Sequence, residues 1–388
     1  MTSIFILVNS LGIGGTEYIV STLSLGLAKD MECQVITISD GNKVAFPVNK
    51  PVISLCHPKS SLPAFIKIPL YGCKLFFNYI SLVHKYHPDV VLSTHPETNV
   101  LNLLTCKLLN VKSIISIHEQ PNYFEGMSRV HYYCRRLVCR LSKKHANQII
   151  TVSQGLKDTL IADFSVPESK IMAIWNPVSL NNIEMKMDEN LNDSFFISDM
   201  PILISVGNPS HVKGQWHLIR VLFEINKIFP CKLVICGSGS LSPYLSSMVD
   251  YYHLNELVNF SGKVDNVFKY LKNSTCFVLS SLSEGFGIVL VEAMACGCPI
   301  VSSNCPYGPN EILDGGKYGL LCESQGADYP DWDSPLTSSE QDMMDKIIMM
   351  LTDDALRNAF AENGKERAKM FDSDITINKY LNLIFQLD

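Results

Sequence analysis

SEGFGIVLVEAMACGCPIVSS, residues 283–303, joins a helix signal to a strand signal through a single glycine. Just upstream, TCFVLSS (275–281) is a β-rich run and SLSEGFG a turn. IVLVEAMAC then reads as an apolar helix stopped by Gly297, and PIVSS (299–303) as the next strand. The result is one βαβ unit. Two acids interrupt it. Glu284 falls in the loop at the carboxyl end of the first strand, and Glu292 nearly two turns into the helix. A carboxylate inside a helix that is apolar nearly all round calls for a reason. Between the two acids, the backbone N–H groups of Phe286, Gly287 and Ile288 sit at the helix start, where free amides and the helix dipole attract phosphate. Gly285 and Gly287 let a ligand approach the main chain closely. Together these features point to a nucleotide-sugar site, with the diphosphate on the helix start, Glu284 toward sugar hydroxyls and Glu292 toward ribose hydroxyls. The plainer alternative is that Glu284 caps the helix and Glu292 faces solvent.

The same rhythm extends along the chain. Strands are expected at 3–9, 33–39, 51–55, 89–94, 112–118 and 148–153, with segments of helix length between them, including 16–29, 66–86 and 128–145. Residues 178–200 are rich in Asn and Asp without strong periodicity and read as a linker. Strands then resume at 202–207, 232–237, 257–262, 275–281, 299–303 and 319–323, and the chain from about 337 reads as helices only. This alternation predicts an α/β fold: two domains with parallel sheets covered on both faces and a cleft between them. Every candidate motif falls at the carboxyl end of a strand, where open α/β sheets bind ligands.

At 388 residues the chain is long enough for two full cores. Its net charge of −6 argues against broad nucleic-acid binding. Thirteen cysteines show no CxxC and no zinc spacing, and most lie in apolar runs, which fits free thiols in a reducing cytoplasm. The start, MTSIFILVNSLGIGG, lacks a basic leader and reads as a first buried strand. No apolar run reaches spanning length.

Glu284, seven residues and Glu292, set in SEGFGIVLVEAMACGCPIV with GPNEIL downstream, resembles the EX7E signature of glycosyltransferase family 4. The resemblance covers nearly the whole chain. It implies a retaining enzyme of the GT-B fold, in which two Rossmann-like domains face each other across a cleft. It further implies an acceptor-side domain over 1–177, a linker at 178–200 and a nucleotide-sugar-binding domain over 201–365. A C-terminal helix within 366–388 is expected to pack back on the first domain. In the family the first glutamate contacts the donor sugar, the second the ribose, and the helix start holds the diphosphate.

Further candidates follow. In SVGNPSHVKGQ (205–215), Lys213 lies in a turn after a strand, where a cation would neutralise a departing diphosphate. The family usually has an arginine directly after the glycine, but Asn208 stands there. A neutral hydrogen bond from Asn208, or a nearby cation such as His211, would have to replace it. Gly237 in CGSGSL and Val264 in GKVDNV fall where the family's loops approach the nucleotide. In NSLGIGGTE, Glu17 occupies the third glycine position of a dinucleotide fingerprint, while the loop around Gly15 resembles the family's phosphate-side loop. His118 ends a strand, and the resemblance gives it contact with the transferred sugar; Glu119 is its polar neighbour. NCPYGPNEIL (304–313) resembles the form found with UDP-linked sugars, often N-acetylhexosamines. DWD (331–333) and DSD (372–374) read as chance matches to a metal motif. The expected catalytic set is therefore His118, Glu284 and Lys213, with no metal and no cofactor.

MSRVHYYCRRLVCRLSKKHA (127–146) carries Arg129, Arg135, Arg136, Arg140, Lys143 and Lys144 and no acid. With apolar positions at 130, 133, 134, 137, 138 and 141, it reads as a basic amphipathic helix for anionic lipid or an acceptor's diphosphate, or else as a solvated face. The apolar run 68–83 is expected to add to the same surface. The overall expectation is a glycosyltransferase moving a sugar from a UDP-linked donor to a glycan or polyprenyl-diphosphate-linked acceptor in surface-polysaccharide or O-antigen synthesis. It would be cytoplasmic, with peripheral contact at the inner membrane face. A GT-B epimerase and a non-catalytic nucleotide-sugar binder are the alternatives.

Overall fold

The computed structural model describes residues 1–12, 14–39, 44–55, 64–122 and 129–387; for 64–71 and 130 it describes the main chain alone. The chain divides into two compact units, Met1–Val178 with Ser373–Asp388, and Ser179–Asp372.

In the first unit, strands β1 (Ser3–Val8), β2 (Glu32–Thr37), β3 (Ile53–Ser54), β4 (Val90–Ser93), β5 (Lys112–Ile117), β6 (Gln148–Thr151) and β7 (Ile171–Ala173) form one sheet. All pairs are parallel, in the order β3-β2-β1-β4-β5-β6-β7. Helices α1 (Gly15–Leu27), α2 (Ala64–Tyr86), α3 (Pro96–Leu109), α4 (Arg129–His145) and α5 (Gln154–Phe164) provide the crossovers. The central strands are apolar on both faces, so Ile4, Ile6, Val90, Val91, Ile114 and Ile149 are fully buried.

Helix α3 is fastened by buried amides. Asn102 donates to Val91 O and Ile114 O, and Asn99 donates to Ser116 O while accepting from Ser93 Oγ at 2.6 Å. A polar stripe buried on a helix is tolerated only when its hydrogen bonds are made in this way.

The second unit contains α6 (Leu180–Met187), β8 (Ile202–Val206), α7 (Gln215–Asn226), β9 (Lys232–Cys236), α8 (Ser242–Tyr251), β10 (Val258–Gly262) and α9 (Phe268–Lys272). It continues with β11 (Cys276–Leu279), α10 (Ile288–Ala295), β12 (Ile300–Ser303), α11 (Gly308–Ile312), β13 (Leu320–Cys322), α12 (Ser338–Thr352) and α13 (Asp354–Ala368). Its parallel sheet runs β10-β9-β8-β11-β12-β13.

A buried ion cluster ties α7 to α12. Glu340, with no exposed surface, accepts from His217 Nδ1 at 2.7 Å and from Arg220 Nε at 2.9 Å, and also caps α12 through Thr337 N. The other His217 nitrogen meets Gly326 O at 2.8 Å, and Arg220 donates to the carbonyls of Asp331, Ser334 and Pro335. The long loop between β13 and α12 is thus held by α7 through its backbone oxygens, the DWD segment included.

One boundary differs from the sequence expectation. Of residues 178–200, read as a linker, 179–200 belong to the second unit: α6 packs on α9, Lys186 O accepts from Asn266 Nδ2, and Asp188 pairs with Lys272. One short amphipathic turn with Ile183 buried is too brief to register as a period. The last helix, α14 (Ser373–Phe385), is part of the first unit and packs on α1. A side chain at Gly26 would lie 2.1 Å from Ile377 Cδ1, so any larger residue in α1 there would have to displace Ile377.

Replacing Glu340 with Ala should cost about 3–5 kcal/mol, because Arg220 and His217 remain buried without a counter-charge. Chemical denaturation of the second unit measures it. A loss below about 1 kcal/mol would mean that the cluster does not anchor the loop.

Candidate active site

In the second unit, the strand order changes direction between β8 and β11, and the loops leaving their carboxyl ends carry Lys213 and Glu284. Lys213 Nζ lies 2.7 Å from Glu284 Oε1, with both side chains largely shielded from solvent. Ser281 Oγ donates to the same oxygen at 2.7 Å. The two loops are stitched by Leu282 N to Val212 O (2.8 Å) and Ser280 Oγ to Lys213 O (3.0 Å). Gly214, at φ +56°, allows this approach, since a side chain there would lie 2.4 Å from Ser280 O. Gly207 is the floor beneath the lysine stem, and Gly237 packs against Gly207 O so closely that a Cβ would fall at 2.3 Å.

Glu284 leads into α10, whose N-cap is Gly287 at φ +90°. The first-turn amides of a helix have no intrahelical acceptor, so Gly287 and Ile288 present an anion-binding end. The Phe286 side chain is buried against Phe371, which leaves only its main chain for a ligand. Gly308 backs this turn: a Cβ would stand 1.5 Å from Phe286 O. Glu292 lies one turn farther along. It is partly accessible but hemmed in by protein, and burial alone pushes its carboxyl up from 4.5 to about 7.

Asn208 is exposed, and its Oδ1 accepts from Ser238 N at 3.3 Å. This pins the carbonyl end and leaves the amide NH2 as the donor end. His211 is not placed to substitute for the missing arginine. Its Nε2 meets Ala327 O at 2.8 Å, and its ring packs on Trp216 and Tyr329. Val264 lies in the turn beyond β10, whose last residue, Gly262, accepts from Gly237 N at 2.7 Å. Asn208, Gly237 and Val264, the residues expected beside a nucleotide, thus lie past three adjacent strand ends.

In the first unit, His118 follows β5 and shares a 2.9 Å hydrogen bond between Nε2 and Ser116 Oγ, which in turn bonds Tyr380 of α14. Burial, then the neighbouring His95, brings the His118 imidazole down to about 3, so it is neutral at physiological pH. Gly15 opens α1 with free space where a side chain would be, whereas at Gly14 a Cβ would meet the Glu17 carboxylate at 2.3 Å. Ile13 lies outside the described residues.

The basic helix divides by burial, contrary to its reading as one cationic face. Arg135 is only 5% exposed and pairs with Glu119 Oε2 at 3.2 Å. Arg136 stacks over Tyr132 and Phe164 and donates to Asn122. Lys143 is half-buried. Val138, Cys139 and Ser142 face the core, while Arg129, Tyr133, Leu137, Arg140 and Lys144 form the exposed stripe. Arg135 sits where the buried face of the helix turns, and its carboxylate partner 16 residues away is invisible to periodicity. Sequence reasoning also missed Ser281, His131 and Glu97. His131 bridges Glu119 Oε2 (3.0 Å) and Glu97 Oε1 (3.1 Å), a long-range pairing that spacing does not reveal. Of the run 68–83, Tyr79 and Val83 are buried and Phe77 is exposed; the side chains of 68–71 lie outside the described residues.

Two outcomes are expected. Because the Glu292 carboxyl titrates near 7 folded and near 4.5 unfolded, its burden on stability is absent below about pH 4.5 and complete above about pH 7. Glu292→Gln should therefore raise Tm increasingly across that window and leave it unchanged at pH 4; a pH-independent difference would contradict the assignment. Gly308→Ala should shift the Phe286–Gly287 turn, lowering both Tm and affinity for UDP as read by calorimetry; unchanged UDP affinity would detach that turn from the site.

Comparison with known proteins follows the same division. The model of the glycosyl transferases group 1 matches residues 186–367, and that of glycosyltransferase family 4 matches residues 13–182. An N-acetylgalactosaminyltransferase of Campylobacter jejuni, which acts on a diphospho-undecaprenol-linked N-acetylgalactosamine–diacetylbacillosamine, is 28% identical over 96% of each chain. An uncharacterised glycosyltransferase of Methanocaldococcus jannaschii is 29% identical over 87% of this chain and 88% of its own. The crystal structure of Anabaena HepE with UDP superposes with a TM-score of 0.76 at 18% identity, covering 99% of this chain and 100% of that one. The fold is GT-B. The two family models adjoin at the boundary between the two units, and the chain belongs to the group 1, family 4 glycosyltransferases.

Proposed function

We propose that the protein is a retaining, metal-independent glycosyltransferase that moves a sugar from a UDP-linked donor to a glycan or polyprenyl-diphosphate-linked acceptor in surface-polysaccharide synthesis. The observation that carries this reading is the Lys213–Glu284 pair beside the α10 N-terminus, with Glu292 one turn deeper. HepE was crystallised with UDP, and the Campylobacter relative is named for a lipid-linked acceptor, which supports the same donor and acceptor classes.

In this scheme the anomeric C–O bond to the diphosphate breaks and the acceptor hydroxyl oxygen bonds the same face of the sugar. The acceptor proton passes to the departing diphosphate oxygen. Lys213, the α10 amides and the Asn208 amide take up the charge that develops on the leaving group, the work a cation or helix end does best in a shielded site. Glu284 exchanges Lys213 for sugar hydroxyls. Among the described residues no helix is long and apolar enough to cross a membrane. The stripe Arg129, Tyr133, Leu137, Arg140 and Lys144 combines cations with exposed apolar side chains, which suits peripheral contact with anionic lipid at the cytoplasmic face.

Release of UDP from a panel of UDP-sugars with lipid-linked acceptors, with and without EDTA, tests the reaction. Lys213→Ala should lower kcat roughly 10²–10³-fold. Full turnover in that variant would remove Lys213 from the mechanism, and an inverted anomeric centre in the product would overturn retention. Co-sedimentation with anionic vesicles at low salt should be lost in Arg140→Glu/Lys144→Glu; equal binding by the variant would exclude this helix as the contact.

A further inference from the structure

We propose that His211 is a positioning residue for Lys213, and that it acts by tying the turn that carries the lysine to the loop between β13 and α12. The proposal rests on the reading of Lys213 as the cation that meets the donor diphosphate, and adds what holds that cation in place. Lys213 ends a short helical turn, His211–Lys213, that follows β8 and closes at Gly214. A lysine carries its charge on a flexible stem, so the ammonium is placed only as well as the base of that stem. The main chain of the turn is tied to the loop after β11, with Leu282 N donating to Val212 O at 2.8 Å and Ser280 Oγ to Lys213 O at 3.0 Å.

The side-chain anchor of the turn is His211. Its Nε2 lies 2.8 Å from Ala327 O, and a carbonyl oxygen can only accept, so Nε2 carries a proton and donates it. The ring packs on Trp216 and Tyr329, with centroids 5.2 and 5.3 Å away, which restricts its rotation. A bond to a loop positions nothing unless the loop is itself fixed. Here the loop is fixed without His211. His217 of α7 bonds Gly326 O at 2.8 Å, the carbonyl immediately before Ala327, and Arg220 holds the carbonyls of Asp331, Ser334 and Pro335. Glu340 pairs with both of these α7 side chains in the interior. Ala327 O is therefore a fixed acceptor.

Two histidines whose rings both lie against Trp216 thus capture consecutive carbonyls of one loop. They differ in what carries them. His217 belongs to α7, whereas His211 belongs to the turn that bears Lys213, so His211 is the link through which the fixed loop reaches the cation. The link matters most when donor is bound. Glu284 holds Lys213 Nζ at 2.7 Å, and in the proposed reaction it leaves the lysine for sugar hydroxyls. Once that pair opens, the His211 anchor and the main-chain bonds of the turn keep the ammonium directed at the diphosphate, which is the preorganisation that makes such a charge effective.

Calorimetric titration of the full chain with UDP tests this through a double-mutant cycle. Lys213→Ala should weaken UDP binding roughly 10-fold or more. His211→Ala should weaken it roughly 3-fold or more on its own and add nothing in the Lys213→Ala background. A merely structural role would instead give the same loss in both backgrounds. Two further variants separate the hydrogen bond from the ring. His211→Gln, which can offer an amide N–H to Ala327 O, should recover most of the affinity, and His211→Phe, which keeps a ring against Trp216 but has no donor, should bind UDP as His211→Ala does; Tm reports that each variant is folded. Unchanged UDP affinity in folded His211→Phe, or equal losses from His211→Ala with and without Lys213, overturns the inference while leaving Lys213 in its role. Unchanged affinity in Lys213→Ala removes the lysine from diphosphate binding, and the inference falls with the reading on which it rests.

Discussion

The parallel pairing of β8 with β11 is the constraint on which the candidate donor site depends. Strands that pair in parallel must release their loops at the same edge of the sheet. Where the strand order reverses, those loops part to opposite sides and leave a crevice. Lys213 and Glu284 stand on the two loops that flank this point, 71 residues apart in sequence and 2.7 Å apart in space. The glycines at 207, 214, 237 and 308 exist in this arrangement because main chain meets main chain or a lysine stem there, and a methyl group would collide. The first unit repeats the device between β1 and β4, with α1 and α3 rising from the same edge.

Electrostatics are arranged differently in the two units. In the second, one ion cluster is structural: Glu340, Arg220 and His217 are fully engaged and hold a long loop in place. The other, Lys213 with Glu284, is half-satisfied by protein, and its partners are the groups a diphosphate and a sugar would claim. Glu292 is the extreme case, a carboxyl whose burial no protein charge offsets. A buried acid left in this condition is expensive to maintain, which is the usual mark of a ligand site. In the first unit the carboxylates Glu97 and Glu119 are paired with His131 and Arg135.

Much of this was legible from residue order. Both sheets were anticipated from continuous apolar runs, because strands covered on two faces cannot be polar. Strand β7, with three residues, and helix α3, whose buried Asn99 and Asn102 disguise its apolar face, were not named. The segment 178–200 looked like a linker because beyond Val178 its one buried apolar residue, Ile183, sets no period. Arg135 looked like a surface cation because its pairing with Glu119 crosses a helix and a loop. His211 looked like a replacement cation until its ring was found packed on Trp216 and bonded to Ala327 O.

The sequence alone determined the α/β class, the order of the strands along the chain, and the loop and helix that carry Glu284 and Glu292. These depend on local periodicity, on glycine's freedom and on the spacing of two acids within one βαβ unit, all of which act over a few residues. Only the tertiary structure decided which charges are free and which are spent. It set Lys213 against Glu284, buried Arg135, protonated His131 between two carboxylates, and raised the Glu292 carboxyl. Each of these depends on distances between residues far apart in the chain and on the exclusion of water around them, which residue order does not specify.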